Sequence, residues 1–308
     1  MKKLLIILSI LFIAAAGFTE GDVSKEDGKS EQIDLAYYEN LIPLHEGKFP
    51  PGPNDWMMHH REAGQSIFQY IKSKPIRPDP MRKYIYIVLL GEFDDTYKEI
   101  VASTGKFMEA YFQLEVKFLD PLALSLIPDD ARREHPFTKD KQILSTYVME
   151  EVLMPRLPED AFSLIAFTTS DLWPGEGWNF VFGQASIEDR VGVWSMYRNG
   201  NPHKNKEDYA VCLLRTIKTG THEMGHMFSI PHCPHYECNM NGSNHRQESD
   251  RRPLWLCPVD LAKLSWNLTG DPQKRYEDLI RVSKEFLLNH EADFFKRSMD
   301  SHPQRTVR

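Results

Sequence analysis

The residues with the clearest chemical potential are two histidines four positions apart, with a glutamate directly after the first. They stand in the run His222-Glu223-Met224-Gly225-His226. Side chains four residues apart share one face of a helix, so both imidazoles could bind one metal ion beside the carboxylate. A solvated helix face that carries two histidines by chance is the alternative. Zinc prefers imidazole ligands and lowers the pKa of a bound water to about 7, so the run predicts metal-assisted hydrolysis.

A third histidine strengthens this prediction. His232 follows His226 by six residues, which is too far for the same helical face but within reach if the helix ends and the chain turns back. Pro231 is typical of a helix that has already ended. A catalytic zinc site needs three protein ligands and one open position, so His222, His226 and His232 are the predicted ligands. Glu223 is the predicted general base, which takes a proton from water and passes it to the leaving amine.

Two other classes of function fit parts of this pattern. A metal-dependent peptide-binding protein would keep the fold with little catalysis, but it has no need for the carboxylate of Glu223. A disulfide-stabilised scaffold without metal would give the histidines no role. The chain carries 37 Lys and Arg against 44 Asp and Glu and has no basic block, so nothing suggests nucleic acid as a partner. The leading hypothesis is a zinc peptidase that acts on a peptide or protein.

The elements that must position these residues alternate between strands and helices. Runs rich in β-branched and aromatic residues predict strands, and apolar residues at helical spacing predict helices. The predicted strands are 84–90, 114–119, 162–167, 179–183 and 191–197. The predicted helices are 94–112, 142–153, 208–228, 259–264 and 273–297. This order indicates an α/β (α+β) domain, with the two spaced histidines late in the third helix.

The first residues are typical of a signal peptide. Lys2 and Lys3 precede an apolar run of about 13 residues, which ends in the small residues Ala14, Ala15 and Ala16. A membrane anchor is the alternative, but a span needs roughly 20 apolar residues. Residues 1–18 are therefore predicted to be removed, which leaves an exported protein, secreted or periplasmic, without a stable membrane anchor.

The remaining chain divides into two predicted parts. Residues 19–80 are polar and turn-rich, which predicts an arm or linker rather than core. Residues 81–300 are the predicted peptidase domain, with an upper part over 81–228 and a lower part over 229–300. Four cysteines follow residue 81, at positions 212, 233, 238 and 257. Two disulfides are the plain interpretation for an exported chain, but three of these thiols crowd around the histidines and could bind metal.

A longer pattern resembles the archaemetzincin family of zinc peptidases. The histidine run continues through Ser229 to His232 and Cys233, and is followed by Cys238-Asn239-Met240 and Cys257. Further matching segments are Phe182-Gly183-Gln184-Ala185, Asn54-Asp55-Trp56, Gly64-Gln65, Asn241-Gly242-Ser243-Asn244-His245 and Asp250-Arg251-Arg252-Pro253. The resemblance covers the chain from about residue 50 to 265.

The resemblance implies a metzincin-like fold, in which the metal-binding helix lies between an upper mixed-sheet part and a smaller helical or irregular lower part. It also implies a methionine turn beneath the metal, here at Met240. The strand over Val191 to Met196 is the expected partner of an extended peptide substrate, by β-augmentation. We expect the chain to be a monomer.

Two positions depart from the family pattern. Ser229 stands where the family usually has glycine, at a turn that favours a positive φ, and serine there would cost roughly 1 kcal/mol. The family also binds a second, structural zinc with four cysteines. Cys233, Cys238 and Cys257 match, but Asp260 takes the fourth position. A site with three sulfur ligands and one oxygen ligand is chemically possible. A disulfide, or ligation by Cys212 or by a nearby histidine such as His235 or His245, are alternatives.

Overall fold

The computed structural model describes residues 35–268 and 270–301. The predicted signal peptide, residues 1–18, lies outside this part of the chain. Among the helices in the described ranges, none has the length and apolar character to span a bilayer. Strands and helices are mixed along the chain, as the α/β prediction requires.

The main sheet has five strands. In chain order they are β1 (Tyr84–Leu90), β2 (Val116–Phe118), β5 (Ala161–Thr168), β7 (Gly183–Ser186) and β8 (Val191–Ser195). Their spatial order is β2-β1-β5-β8-β7. The first four strands of that order run parallel, and β7 at the edge is antiparallel to β8. Strand β5 is buried along its whole length because elements of the fold cover both faces of the sheet.

A second sheet, which the sequence does not predict, has three short strands. They are β3 (Arg132–Glu134), β4 (Lys141–Leu144) and β6 (Asp171–Trp173), adjacent in that order. The predicted helix 142–153 is therefore wrong at its start, since helix α5 begins at Ser145 (Ser145–Tyr147) and continues as a π-helix over Val148–Leu153. The buried amide of Gln142 donates to the carboxylate of Asp171 at 2.8 Å. Periodicity cannot reveal such a long-range contact.

Two further boundaries differ from the prediction. The edge strand starts at Gly183, where the predicted strand 179–183 ends. The predicted helix 273–297 is two helices, because Leu287 has a φ of 58° and an L-residue in that region cannot continue a right-handed helix.

Helices surround the main sheet. Besides α5 they are α1 (Leu35–Glu39), α2 (Trp56–His59), α3 (Ile67–Lys72), α4 (Asp95–Phe112), α6 (Lys206–Met227), α7 (Arg246–Arg251), α8 (Pro258–Asn267), α9 (Pro272–Glu285) and α10 (Asn289–Asp300). The long helix α6 packs beside α4 and against β7 and β8, and α7 to α10 form the helical lower part. Asn205 caps the start of α6 by accepting a hydrogen bond from the backbone of Asp208 at 2.8 Å.

Residues 35–80, interpreted from the sequence as a polar arm, are built into the core. Tyr37, Leu41, Ile67 and Tyr70 are buried in the same apolar cluster as α4 and α6. Helices α1 and α3 both pack against α8. Their apolar residues are distributed over helices of five and six residues, which are too short to show a helical period. We call this segment the N-terminal arm.

Candidate metal centre

The last turns of α6 bring His222 and His226 side by side. The two ring centroids are 4.7 Å apart, and the two Nε2 atoms are 3.2 Å apart. Two nitrogens bound to one tetrahedral zinc at about 2.0–2.1 Å stand about 3.3 Å apart. The spacing of these nitrogens therefore suits a shared zinc ion.

The chain reverses direction directly after α6. Phe228 follows the helix, and its carbonyl accepts a hydrogen bond from the Tyr70 hydroxyl of the N-terminal arm at 2.5 Å. Ser229 has a φ of 61°, which is the left-handed conformation that glycine adopts most easily. The turn predicted from the family pattern is present, with serine in the strained position.

This reversal brings the third histidine to the other two. The ring centroid of His232 is 5.4 Å from that of His222 and 4.9 Å from that of His226. One nitrogen from each of the three rings lies within 4.8 Å of the others. The three predicted ligands thus form a tripod.

Each ring of the tripod is held by an oxygen at its outer nitrogen. The Nδ1 of His222 lies 2.8 Å from the carbonyl oxygen of Asn239, and that of His226 lies 2.8 Å from the carbonyl oxygen of Ile230. The Nδ1 of His232 lies 2.8 Å from Oε1 of Glu62. The Nδ1 of His222 also lies 2.8 Å from Nη1 of Arg252. A proton on Nδ1 of His226 and of His232 satisfies their oxygens and leaves their Nε2 lone pairs for a metal.

Burial sets the protonation of the site. Burial and the neighbouring Arg252 guanidinium lower the pKa of His222 well below its usual value, and burial lowers the pKa of His226 to about 3. Both rings are therefore neutral at pH 7, the form that binds metal. Burial also raises the pKa of Glu223 to about 7, which suits a group that takes up and returns a proton.

A methionine turn lies beneath the helix, as the family resemblance implies. Met240 is fully buried, and its sulfur would lie only 2.4 Å from a Cβ at Gly225, between the two helical histidines. Glycine at this position therefore lets the methionine approach α6 closely. The backbone of Cys233 donates to the carbonyl of Met240 at 2.8 Å, which ties this turn to the residue after His232.

The second predicted metal cluster also assembles. One ligand atom from each of Cys233, Cys238, Cys257 and Asp260 lies within 4.8 Å of the others, and all four residues are buried. The Sγ atoms of Cys233 and Cys257 are 3.7 Å apart, far beyond the bond length of about 2.05 Å in a disulfide. All four cysteines of the chain are free thiols.

The alternative ligands of the second cluster lie elsewhere. Cys212 is buried within α6, and His245 contacts Asp55 at 3.0 Å. His235 is not among the four residues that assemble. The second oxygen of Asp260 accepts a hydrogen bond from Lys263 at 2.8 Å, and both of these side chains are almost fully buried. This lysine supplies a positive charge beside the cluster of three thiols and one carboxylate.

The prediction that an extended substrate pairs with the strand over Val191 to Met196 is wrong. Strand β8, which contains most of the segment Val191 to Met196, has β5 on one side and β7 on the other. Its backbone hydrogen bonds are therefore used within the sheet. The edge strand is β7, and a Cβ at Gly183 would lie 2.9 Å from Cγ of Glu223. The free edge of the sheet thus begins beside the predicted base.

Sequence reasoning missed two residues that contact the tripod. Glu62 lies 170 positions before its partner His232, in a segment interpreted as an arm. The buried Arg252 belongs to a segment that carried the family resemblance, but its proximity to His222 has no local sequence signal. Both contacts depend on tertiary structure.

Comparisons with known proteins give matches to one family. The model of peptidase family M54 matches residues 159–265. Archaemetzincin-2 of Homo sapiens is 37% identical over 261 residues, which cover 74% of this chain and 72% of that protein. Archaemetzincin of Pyrococcus abyssi is 29% identical over 195 residues, which cover 61% of this chain and 98% of that protein.

The fold has a counterpart among solved structures. The crystal structure of archaemetzincin from Methanopyrus kandleri superimposes with a TM-score of 0.50 and 26% sequence identity. The match covers 63% of this chain and all of that one. The mixed α/β architecture is therefore shared with that crystal structure.

Proposed function

This chain belongs to the archaemetzincin family of metallopeptidases, peptidase family M54, and we propose that it hydrolyses peptide bonds with a zinc ion held by His222, His226 and His232. The tripod carries this proposal, because one nitrogen from each of three imidazoles lies within 4.8 Å of the others. Three nitrogen ligands with a remaining open position are the donor set of a catalytic zinc site. When bound, zinc supplies Lewis-acid chemistry that makes water a nucleophile near neutral pH.

We assign the proton transfers to Glu223. Its carboxylate follows the first ligand in sequence, and burial raises its pKa to about 7. At that pKa the group can take the proton of the attacking water and then deliver it to the leaving amine. Glu223 is not needed as a metal ligand, because the three histidines supply the three protein ligands of a catalytic zinc site.

The peptide substrate is proposed to pair with the edge of β7. An edge strand offers unpaired backbone groups, and an extended peptide can add to it as a further strand. Gly183 at the start of this strand lies against Glu223, so a peptide paired there passes close to the base. The backbone then supplies affinity, and side-chain pockets supply sequence preference.

Substitution of the base tests this function. Glu223→Ala should retain zinc at the wild-type ratio, while kcat falls by about 10²–10⁴-fold, the usual contribution of general acid–base catalysis. Zinc content is measured by elemental analysis and turnover with a peptide library. Glu39→Ala, an exposed glutamate of the N-terminal arm, is the matched control and should keep full turnover.

Two results would contradict the proposal. Unchanged turnover in Glu223→Ala would contradict the assignment of Glu223 as the general base. A wild-type chain that binds zinc and extended peptides but cleaves none would instead be a metal-dependent peptide-binding protein.

A further inference from the structure

The three ligands of the tripod are oriented by different kinds of oxygen. His222 and His226 face backbone carbonyl oxygens, which belong to the metal-site segment itself. His232 alone of the three faces a carboxylate, Oε1 of Glu62, at 2.8 Å. A carboxylate on the outer nitrogen fixes the ring, places its proton on Nδ1 and makes the ligand more basic.

The segment that carries Glu62 is anchored on the lower part of the fold on its N-terminal side. The Lys48 amine lies 3.1 Å from the carboxylate of Glu237, and the backbone of Trp56 donates to Glu248 at 2.9 Å. The carboxylate of Asp55 pairs with His245 and with Arg251. These contacts restrict where the chain can place Glu62.

The segment is also anchored on the C-terminal side of Glu62. The Ser66 side chain caps α3, and Tyr70 in that helix binds the carbonyl of Phe228, next to the turn that leads to the third ligand. Trp56 packs its ring edge-on to His232, with centroids 5.0 Å apart. The third ligand is thus enclosed by the N-terminal arm as well as oriented by it.

We propose that Glu62 is a positioning residue for zinc, and that the N-terminal arm serves the metal centre by holding this carboxylate on His232. This inference rests on the proposed function, because it requires that the tripod binds zinc. Glu62 is not a member of the group of candidate ligands formed by His222, His226 and His232. Its effect passes through the third ligand.

Zinc affinity is the direct test. Glu62→Ala should weaken zinc binding at the tripod by about 10–100-fold, the usual effect of removing an outer partner of a ligand. Glu62→Gln keeps an oxygen that can accept from Nδ1, so it should recover most of that loss. Glu39→Ala should bind zinc as the wild type does. The measurement is competition with a chelator of known affinity, and His226→Ala supplies the baseline for zinc held elsewhere in the chain.

A double-mutant cycle separates positioning from general stability. In the His226→Ala background the tripod is already broken, so adding Glu62→Ala should lower Tm by no more than half of its effect in the wild type. An equal loss of Tm in both backgrounds would mean a structural role and would overturn the inference. Wild-type zinc affinity in Glu62→Ala would overturn it as well. If the wild type holds no more zinc than His226→Ala, the proposed function itself fails.

Discussion

At the scale of single residues, the site depends on a close approach between β7 and the base. A Cβ at Gly183 would lie 2.6 Å from Cδ1 of Trp194 and 2.9 Å from Cγ of Glu223. The indole is fully buried and cannot move aside. Gly183→Ala should therefore displace the strand or the base and lower kcat at least 10-fold, while zinc content stays at the wild-type value. Gly47→Ala, which has open space around its Cβ, is the control. Normal turnover in Gly183→Ala would show that the base tolerates displacement.

The strained turn after α6 gives a second residue-scale prediction. Ser229 has a φ of 61°, and its Oγ accepts a hydrogen bond from the backbone of Ile76 at 3.2 Å. Ser229→Ala loses this bond and keeps the strain, whereas Ser229→Gly loses the bond and relieves the strain. The glycine variant should thus have a free energy of unfolding about 1 kcal/mol higher than the alanine variant. Urea denaturation measures both variants, and equal stabilities would mean that the serine is not strained.

The sequence predicted the tripod at this scale for a local reason. Histidines four apart must share a helix face, so His222 and His226 could be placed without knowledge of the fold. The position of the turn after α6 was predictable from the family resemblance, since Ser229 stands where the family usually has glycine. Glu62 and Arg252 could not be predicted, because each reaches the histidines through contacts between distant segments.

At the scale of elements, a continuous apolar run was predictable and short strands were not. Strand β1 matches its prediction at both ends, because seven consecutive residues are apolar or aromatic. Strands β3, β4 and β6 have three or four residues each and no alternation that stands out from a loop. Their pairing is fixed by buried polar contacts such as that of Gln142 with Asp171.

One element prediction concerns how the N-terminal arm supports α6. The Tyr70 hydroxyl donates to the carbonyl of Phe228 at 2.5 Å and accepts from the side chain of Asn267 at 2.7 Å. All of these groups are buried, so Tyr70→Phe leaves them unsatisfied and should destabilise the fold by about 1–3 kcal/mol. The control is Tyr84→Phe at the start of β1, which should change stability little. Thermal unfolding checks both, and an unchanged Tm in Tyr70→Phe would mean that the arm does not hold the helix end.

At the scale of the whole molecule, export is our proposal for the first 18 residues. Their basic start and short apolar run are typical of a cleaved signal. Mass spectrometry of the chain from the exported fraction should give the mass without residues 1–18, and light scattering should give one chain per particle. An intact N terminus in the cytosolic fraction would contradict the proposal.

The last whole-molecule prediction concerns the number of metal ions. Cys233, Cys238, Cys257 and Asp260 form a buried set of four ligands, the number that structural zinc sites have. Hydrogen bonds from the neighbouring thiols lower the pKa of Cys233, which favours a thiolate there, and the charge of Lys263 offsets part of the negative charge. We therefore expect two zinc ions per mature chain by elemental analysis, and one ion in His226→Ala. Asp260→Asn should lose the other ion and lower Tm, because a structural metal adds its binding energy to folding. Two ions retained in Asp260→Asn would show that three thiolates suffice. A single ion in the wild type that is lost in His226→Ala would leave the cysteines without metal.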